Sequence, residues 1–164
     1  MARLESPNRP ENNDDSRVEG ECGHRWSKTG SARPLQVLVE VPDVPEGTVL
    51  WRALTERGYD VSWCPGPEGP PASWCPLMGG RLCDLVDSAD VVVSSLGFDS
   101  GCCRDVLANI RSLHPAARVI VEADATEAAT WASLLDGYQV ISRPVSTQAL
   151  LNAIEFATDF APEK

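Results

Sequence analysis

The residues whose types could do chemistry in this chain are, first, its six cysteines. Cys64, Cys75 and Cys83 bracket a stretch rich in proline and glycine, with ten and seven residues between them. These spacings differ from the short C-x2–4-C pairs of a structural zinc site. The three thiols could still meet if the stretch folds back on itself. A metal or Fe–S site, a redox switch and simple burial as small apolar side chains are therefore the three open interpretations.

Cys102 and Cys103 form a second group, directly after Gly101 at the predicted start of a helix. A helix N-terminus lowers the pKa of a thiol and makes it more reactive. We therefore regard both as candidate reactive thiols, with plain burial as the alternative. A fourth ligand for a metal site at Cys64, Cys75 and Cys83 could be Cys22, His24, Cys102 or Cys103.

Other catalytic arrangements find little support in the sequence. The only histidines are His24, in a polar segment, and His114, which precedes Pro115 in a predicted turn and is expected to be capping or solvated. A Ser/His/Asp hydrolase is therefore disfavoured. No G-x-G-x-x-G follows the first predicted strand, so a dinucleotide site has no support. A small α/β enzyme is the least favoured function.

The composition excludes several classes of partner. The chain has 164 residues and a net charge of −10, which opposes binding to nucleic acid or to an anionic membrane surface. No apolar run approaches the ~20 residues of a membrane span. The N-terminus lacks the apolar segment of a signal peptide. We expect a cytoplasmic protein, in which cysteines are more often thiols or metal ligands than disulfides.

The order of predicted elements gives the fold class. Residues 1–33 are polar and lack a hydrophobic period, so we expect a disordered tail. In residues 34–160, apolar strands alternate with amphipathic helices, which predicts a doubly wound α/β domain with a five-stranded parallel sheet. The predicted strands are 35–41, 59–64, 89–95, 118–122 and 139–142; the predicted helices are 46–57, 81–88, 102–113, 126–135 and 147–160. Ligands in such sheets bind beyond the carboxyl ends of the strands.

Three segments resemble the receiver domain of two-component response regulators: ADVVVSSLGFDSG, RVIVEADA and SRPVSTQALLNAI. The likeness extends over nearly everything after Pro34 and depends on the order of the pieces. It implies the flavodoxin-like strand order 2-1-3-4-5. It also implies a pocket built from an acidic pair, an acceptor aspartate, a Thr or Ser, and a Lys.

Matched residue by residue, the chain departs from that pocket at most positions. The acceptor position falls on Ser95, and the Thr or Ser position falls on or beside Ala123. The lysine position falls on Arg143, and the acidic pair is reduced to Glu40 and Asp43. A serine hydroxyl is neither a carboxylate nucleophile nor an anionic Mg²⁺ ligand. The resemblance therefore implies a degenerate receiver that is not phosphorylated on aspartate.

We accordingly expect a non-enzymatic signalling or protein-interaction module without a cofactor. Its partner would be another protein or a second copy of the chain, contacted through the last helix and the strand before it. Arg143 is expected to pair with Glu40, Asp43 or Asp99, or else to be a solvated surface charge. A cysteine-based metal, Fe–S or redox-sensing protein on the same fold is the alternative function.

Overall fold

Runs of β-branched residues form the central strands, as their composition predicts. The computed structural model describes residues 33–67 and 75–159. The five strands are β1 (Gln36–Glu40), β2 (Asp60–Cys64), β3 (Val91–Ser94), β4 (Val119–Ala123) and β5 (Gln139–Ser142). The helices are α1 (Val44–Thr55), α2 (Asp84–Ser88), α3 (Gly101–Leu113), α4 (Ala125–Thr130), α5 (Ala132–Leu135) and α6 (Thr147–Asp159), with a short 3-10 helix at Pro76–Gly79. The predicted tail, apart from Arg33, lies outside the described residues.

The five strands form one parallel sheet in the order β2-β1-β3-β4-β5, which confirms the predicted fold class and strand order. Parallel sheets need cover on both faces, and β1, β3 and β4 are buried along their whole lengths. No helix within residues 33–67 and 75–159 is both long and apolar enough to span a membrane.

Side chains alternate between two apolar cores, one on each face of the sheet. Leu38, Val92 and Val121 face the core that includes Leu107 of α3. The second core, against α1 and α6, contains Val37, Val39, Val93, Ile120, Leu54, Leu150 and Ile154. Burying one such side chain contributes ~1.5–3 kcal/mol. The sheet interior is thus mostly apolar, with Gln36 and Ser62 as buried polar exceptions, and its buried carboxyls lie toward the carboxyl edge.

Helix α2 begins at Asp84 and not at residue 81, and two further helices differ from the predicted ranges for local reasons. Helix α1 begins at Val44 because the Asp43 carboxylate accepts a hydrogen bond from the Glu46 amide at 2.9 Å, an N-cap. The helix predicted over 126–135 is two helices, because the backbone of Trp131 leaves the helical region between them. The Trp131 ring lies against Phe98 and Arg104.

Trp63 joins α1 to the sheet beside the carboxyl ends of β1 and β2. Its indole Nε1 donates to the carbonyl of Val41 at 2.9 Å. Gly47 of α1 leaves room for the ring, since a Cβ at this position would lie 2.5 Å from Nε1 and 2.9 Å from Cε2. The close approach requires glycine at this point of α1, although glycine weakens a helix interior.

This contact predicts the sign of one substitution. Helix propensity alone would make Gly47→Ala more stable by ~1 kcal/mol. The overlap with the half-buried Trp63 ring costs ~1–3 kcal/mol, so we expect Gly47→Ala to lower the free energy of unfolding. Denaturant unfolding measures the difference. Val49→Ala on the same helix is the control, since Val49 is 67% exposed and should change stability by less than ~0.5 kcal/mol. A stabilised Gly47→Ala protein would contradict the packing.

Candidate functional site

The carboxyl ends of β1 and β3 bring two predicted pocket residues together. Glu40 ends β1 opposite Ser94 of β3, and the next amide, that of Ser95, donates to the Glu40 carbonyl at 2.9 Å. Glu40 is only 3% exposed and Ser95 only 9%. Both predicted residues therefore lie within the sheet edge and not on the open surface.

Glu122 of β4 is a pocket residue that the sequence reasoning missed. Ala123, which was matched to the Thr or Ser position, packs instead into the apolar core with α3. Glu122 points to the opposite face of β4, where its carboxyl lies near the Ser95 hydroxyl and the Arg143 guanidinium. The available signal was the one charge within the strand sequence VIVEA, which falls on the face of Ile120 by strand alternation.

The environment of Glu122 favours the neutral acid. Burial raises the pKa of this carboxyl, and the nearby charge of Glu46 raises it further. The Ser95 hydroxyl and Arg143 lower the pKa of Glu122, but burial is the largest effect. Ser95 Oγ and Glu122 Oε1 are both buried, and neither atom meets the criteria for a hydrogen bond within the described residues.

Arg143 bridges the ends of β4 and β5 to the start of α4. Its guanidinium donates to the Glu122 carbonyl at 3.0 Å, and Nη1 lies 3.4 Å from Glu127 Oε2. Its backbone amide donates to the Ala123 carbonyl at 3.1 Å. The expected pairing with Glu40, Asp43 or Asp99 is wrong, and so is the alternative of a solvated surface charge.

Glu127 is the partner of Arg143 because a capping box holds it at the end of β4. The Asp124 carboxylate accepts from the amides of Thr126 and Glu127, and Glu127 Oε2 accepts from the Asp124 amide at 2.8 Å. Arg143 leaves β5 beside this box. One carboxylate oxygen thus serves both the start of α4 and the end of β5.

The predicted acidic pair is divided between two roles. Glu40 is buried at the end of β1, whereas Asp43 is exposed and caps α1. Across residues 33–67 and 75–159, no group of three or more His, Cys, Asp or Glu side chains is arranged to hold a metal ion. The described residues therefore do not provide a carboxylate cluster for Mg²⁺.

The three cysteines around the Pro/Gly stretch lie in the apolar core. Cys64, Cys75 and Cys83 are 6–7% exposed and pack in the same cluster as Leu77 and Val86. The described residues do not gather them into a metal-binding group, so the predicted three-thiolate site is not formed there. Cys22 and His24, the possible further ligands, lie outside the described residues.

The two candidate reactive thiols differ in environment. Helix α3 begins at Gly101, which places both in its first turn, as predicted. Cys103 is 2% exposed, and its thiol lies 3.4 Å from the Leu96 carbonyl as a donor. Such buried thiols are inert, so the prediction of reactivity is wrong for Cys103. Cys102 is half-buried and remains the accessible thiol of the pair.

His114 is the C-cap residue of α3, as one of the two expectations had it, and its amide donates to the Ile110 carbonyl at 2.8 Å. Its side chain is buried and not solvated, and it fixes the segment before α2 against α3. The His114 Nε2 atom accepts a hydrogen bond from the Cys83 amide at 3.1 Å. Because Nε2 is the acceptor, Nδ1 carries the proton and donates to Asp87 Oδ1 at 2.6 Å. The imidazole is therefore held as the neutral Nδ1–H tautomer. The contact joins α2, α3 and the segment before α2.

Comparison with known proteins identifies the fold. No protein-family model and no curated protein matches the chain. A response regulator receiver domain protein from Clostridium thermocellum is 18% identical, with a TM-score of 0.60 over 76% of this chain and 94% of that one. The signal receiver domain of an HD domain-containing protein from Pseudomonas fluorescens Pf-5 is 19% identical, with a TM-score of 0.58 over 77% and 96%.

A third similar structure is a putative pilus assembly-related protein from Burkholderia pseudomallei K96243. It is 16% identical, with a TM-score of 0.62 over 84% of this chain and 98% of that one. At these identities the likeness establishes the fold: the chain folds as response-regulator receiver domains do. The resemblance stated from the sequence is confirmed at that level.

The buried carboxyl of Glu122 predicts a pH-dependent stability. Its pKa is higher in the folded protein than in the unfolded chain, so the folded state keeps a proton that the unfolded state releases. The contribution of Glu122 is therefore fully present below its unfolded-state pKa of ~4.3 and is lost as pH rises through the folded-state pKa. Relative to wild type, Glu122→Gln should therefore gain stability as pH rises above ~4.3.

Denaturant unfolding at several pH values measures this difference. Glu56→Gln is the control, because Glu56 lies exposed on the surface in an i,i+4 pair with Arg52. The free energy of unfolding of Glu56→Gln should change with pH in the same way as that of wild type. If Glu122→Gln also runs parallel to wild type, the carboxyl is not held as the neutral acid.

Proposed function

We propose that this chain is a non-enzymatic, receiver-like signalling module that works by protein contact and is not phosphorylated on aspartate. The observation that carries the proposal is the position of Ser95 beside Glu122. A hydroxyl occupies the position matched to the acceptor carboxylate, and the adjacent carboxyl is biased toward its neutral form. The Ser95 hydroxyl is not a carboxylate nucleophile.

The rest of the pocket is consistent with that role. Transfer of a phosphoryl group requires its charge to be neutralised by cations and hydrogen-bond donors. Arg143 is already engaged with the Glu122 carbonyl and Glu127, and Asp43 is engaged as an N-cap. The contacts that link β4, β5 and α4 are thus made without a phosphoryl group. We propose that the resting conformation is the working conformation.

The proposed partner surface is the side of the domain formed by β5 and the exposed side of α6. β5 is an edge strand, and its Val140 is 40% exposed. Leu150, Leu151 and Ile154 of α6 pack on the sheet, so the inner side of that helix serves the core. An exposed edge strand is a ready site for pairing with another chain, which fits a protein partner or a second copy.

Incubation with acetyl phosphate and Mg²⁺, followed by intact mass spectrometry, tests the absence of aspartyl phosphorylation. We expect the mass to stay unchanged, because no ionised carboxylate stands at the acceptor position. A stoichiometric phosphoryl adduct that hydroxylamine removes would contradict the proposal, because hydroxylamine cleaves acyl phosphates.

Two controls make the result decisive. An active receiver domain in the same reaction must acquire the adduct, which shows that the donor is competent. Ser95→Ala identifies any phosphoserine, because such an adduct resists hydroxylamine and disappears in this variant. An adduct on Ser95 would also contradict the proposal, since it would make the pocket a phosphorylation site of another kind.

A further inference from the structure

A cleft of about 330 Å³ opens between the loop before α3 and the helix α4. It is a separate feature from the β1–β3 edge of the pocket. Its lining residues combine two aromatic rings, one guanidinium, two hydroxyls and two carboxylates: Phe98, Asp99, Arg104, Thr126, Glu127, Thr130 and Trp131. The volume lies at the lower end of the ~300–1,000 Å³ range of small-molecule sites.

Arg104 supplies the cleft with a positive charge that the described residues do not neutralise. Its guanidinium carbon lies 4.5 Å from the centroid of the Trp131 ring. Its Nε is buried, and no acceptor within residues 33–67 and 75–159 bonds to it. A buried donor without an acceptor costs ~1–3 kcal/mol, and native proteins rarely leave one unpaired.

The two carboxylates of the cleft do not remove this charge. Glu127 is engaged by Arg143 and the Asp124 amide. Asp99 is exposed, and neither it nor Glu127 forms an ion pair with Arg104 among the described residues. An acceptor for Arg104 must therefore come from outside these residues, and an oxyanion is the acceptor that matches a planar guanidinium fork best.

A second unpaired donor lies one turn before Arg104. Ser100 is the N-cap residue of α3, yet its side chain makes no capping hydrogen bond and its Oγ is buried without a partner in the described part of the chain. Arg104 folds back toward this end of α3, since its Nη2 lies 3.4 Å from the position that a Cβ on Gly101 would take.

The remaining wall of the cleft is aromatic. Phe98 is 3% exposed, and its ring plane lies within 15° of that of Trp131, with centroids 6.5 Å apart. Flat rings of this kind bind another flat ring by dispersion and offset stacking. The chemistry of the cleft thus favours a ligand that joins a planar ring to an oxyanion.

We infer that this cleft binds a small aromatic carboxylate, with the carboxylate paired to Arg104 and the ring against Phe98 and Trp131. This is a ligand-binding role beyond the proposed function. It does not depend on whether Ser95 or any other residue is phosphorylated. Glu127 lines the cleft and also pairs with Arg143. A ligand in the cleft would therefore be separated from the carboxyl ends of β4 and β5 by the Glu127 side chain alone.

Titration of ¹⁵N-labelled protein with benzoate tests the inference, with benzamidine as a probe of the same shape and opposite charge. We expect saturable shifts of the Arg104 Nε–H and the Trp131 indole N–H with benzoate and none with benzamidine. Acetate and inorganic phosphate, which lack the ring, should bind at least tenfold more weakly. Benzamidine or phosphate binding as tightly as benzoate, or benzoate without saturable shifts, would overturn the inference.

Variants separate the cleft from the rest of α3. Arg104→Gln should weaken benzoate binding at least tenfold, and Asp99→Asn should strengthen it by removing a like charge. Arg111→Gln is the matched control, because Arg111 also lies on α3 with its guanidinium 4.5 Å from an aromatic ring, that of Tyr138, but already donates to the carbonyls of Leu134 and Asp136. Unchanged affinity in Arg104→Gln with a native amide spectrum, or no gain in Asp99→Asn, would contradict the site.

Discussion

The burial of Glu122 in an apolar parallel sheet is the constraint on which the site depends. Both faces of the sheet are covered, so polar chemistry is confined to the carboxyl edge. Within the described residues, Glu40 and Glu122 are the carboxylic acids buried there. Burial disfavours the charged form of a carboxylate more strongly than Ser95 and Arg143 support it, and the pKa of Glu122 rises. Glu122 thus places a carboxyl of raised pKa beside the position where the resemblance implies a hydroxyl.

The contacts of the Arg143 guanidinium follow from the same burial. Because Glu122 is buried and biased toward neutrality, the guanidinium takes the Glu122 carbonyl and the Glu127 carboxylate instead. Glu127 also belongs to the capping box of α4 and to the wall of the Arg104 cleft. One side chain therefore connects the strand ends, the start of α4 and the cleft. The proposed signalling role and the inferred ligand site meet at this carboxylate, although each is tested separately.

The sequence predicted the strands and their order because periodicity and the alternation of elements are local signals. It did not predict which face of β4 enters the pocket, since a shift of one residue in a strand moves every side chain to the other face. The residue of β4 that faces the pocket is therefore Glu122 and not Ala123. The matching of Ser95 and Arg143 to the pocket came from the resemblance, and the structure places both at the carboxyl edge.

The sequence did not predict which residues far apart along the chain contact one another. His114 contacts Asp87 and Cys83, which lie 27 and 31 residues away along the chain, and the pair Arg143–Glu127 spans 16 residues. The division of the helix at Trp131 similarly depends on tertiary contacts with Phe98 and Arg104. Residue type alone does not report such contacts, because each depends on how separate elements pack.

The claim that the pocket is complete without a phosphoryl group is tested most directly by NMR in the presence of Mg²⁺ and beryllofluoride. Beryllofluoride imitates a phosphoryl group on a carboxylate. The backbone amides of Ser95, Glu122 and Arg143 report on the three strand ends that meet there. We predict that their chemical shifts stay unchanged as beryllofluoride is added. Saturable shifts at these amides that propagate into β5 and α4 would contradict the claim and restore a phosphorylation-type switch.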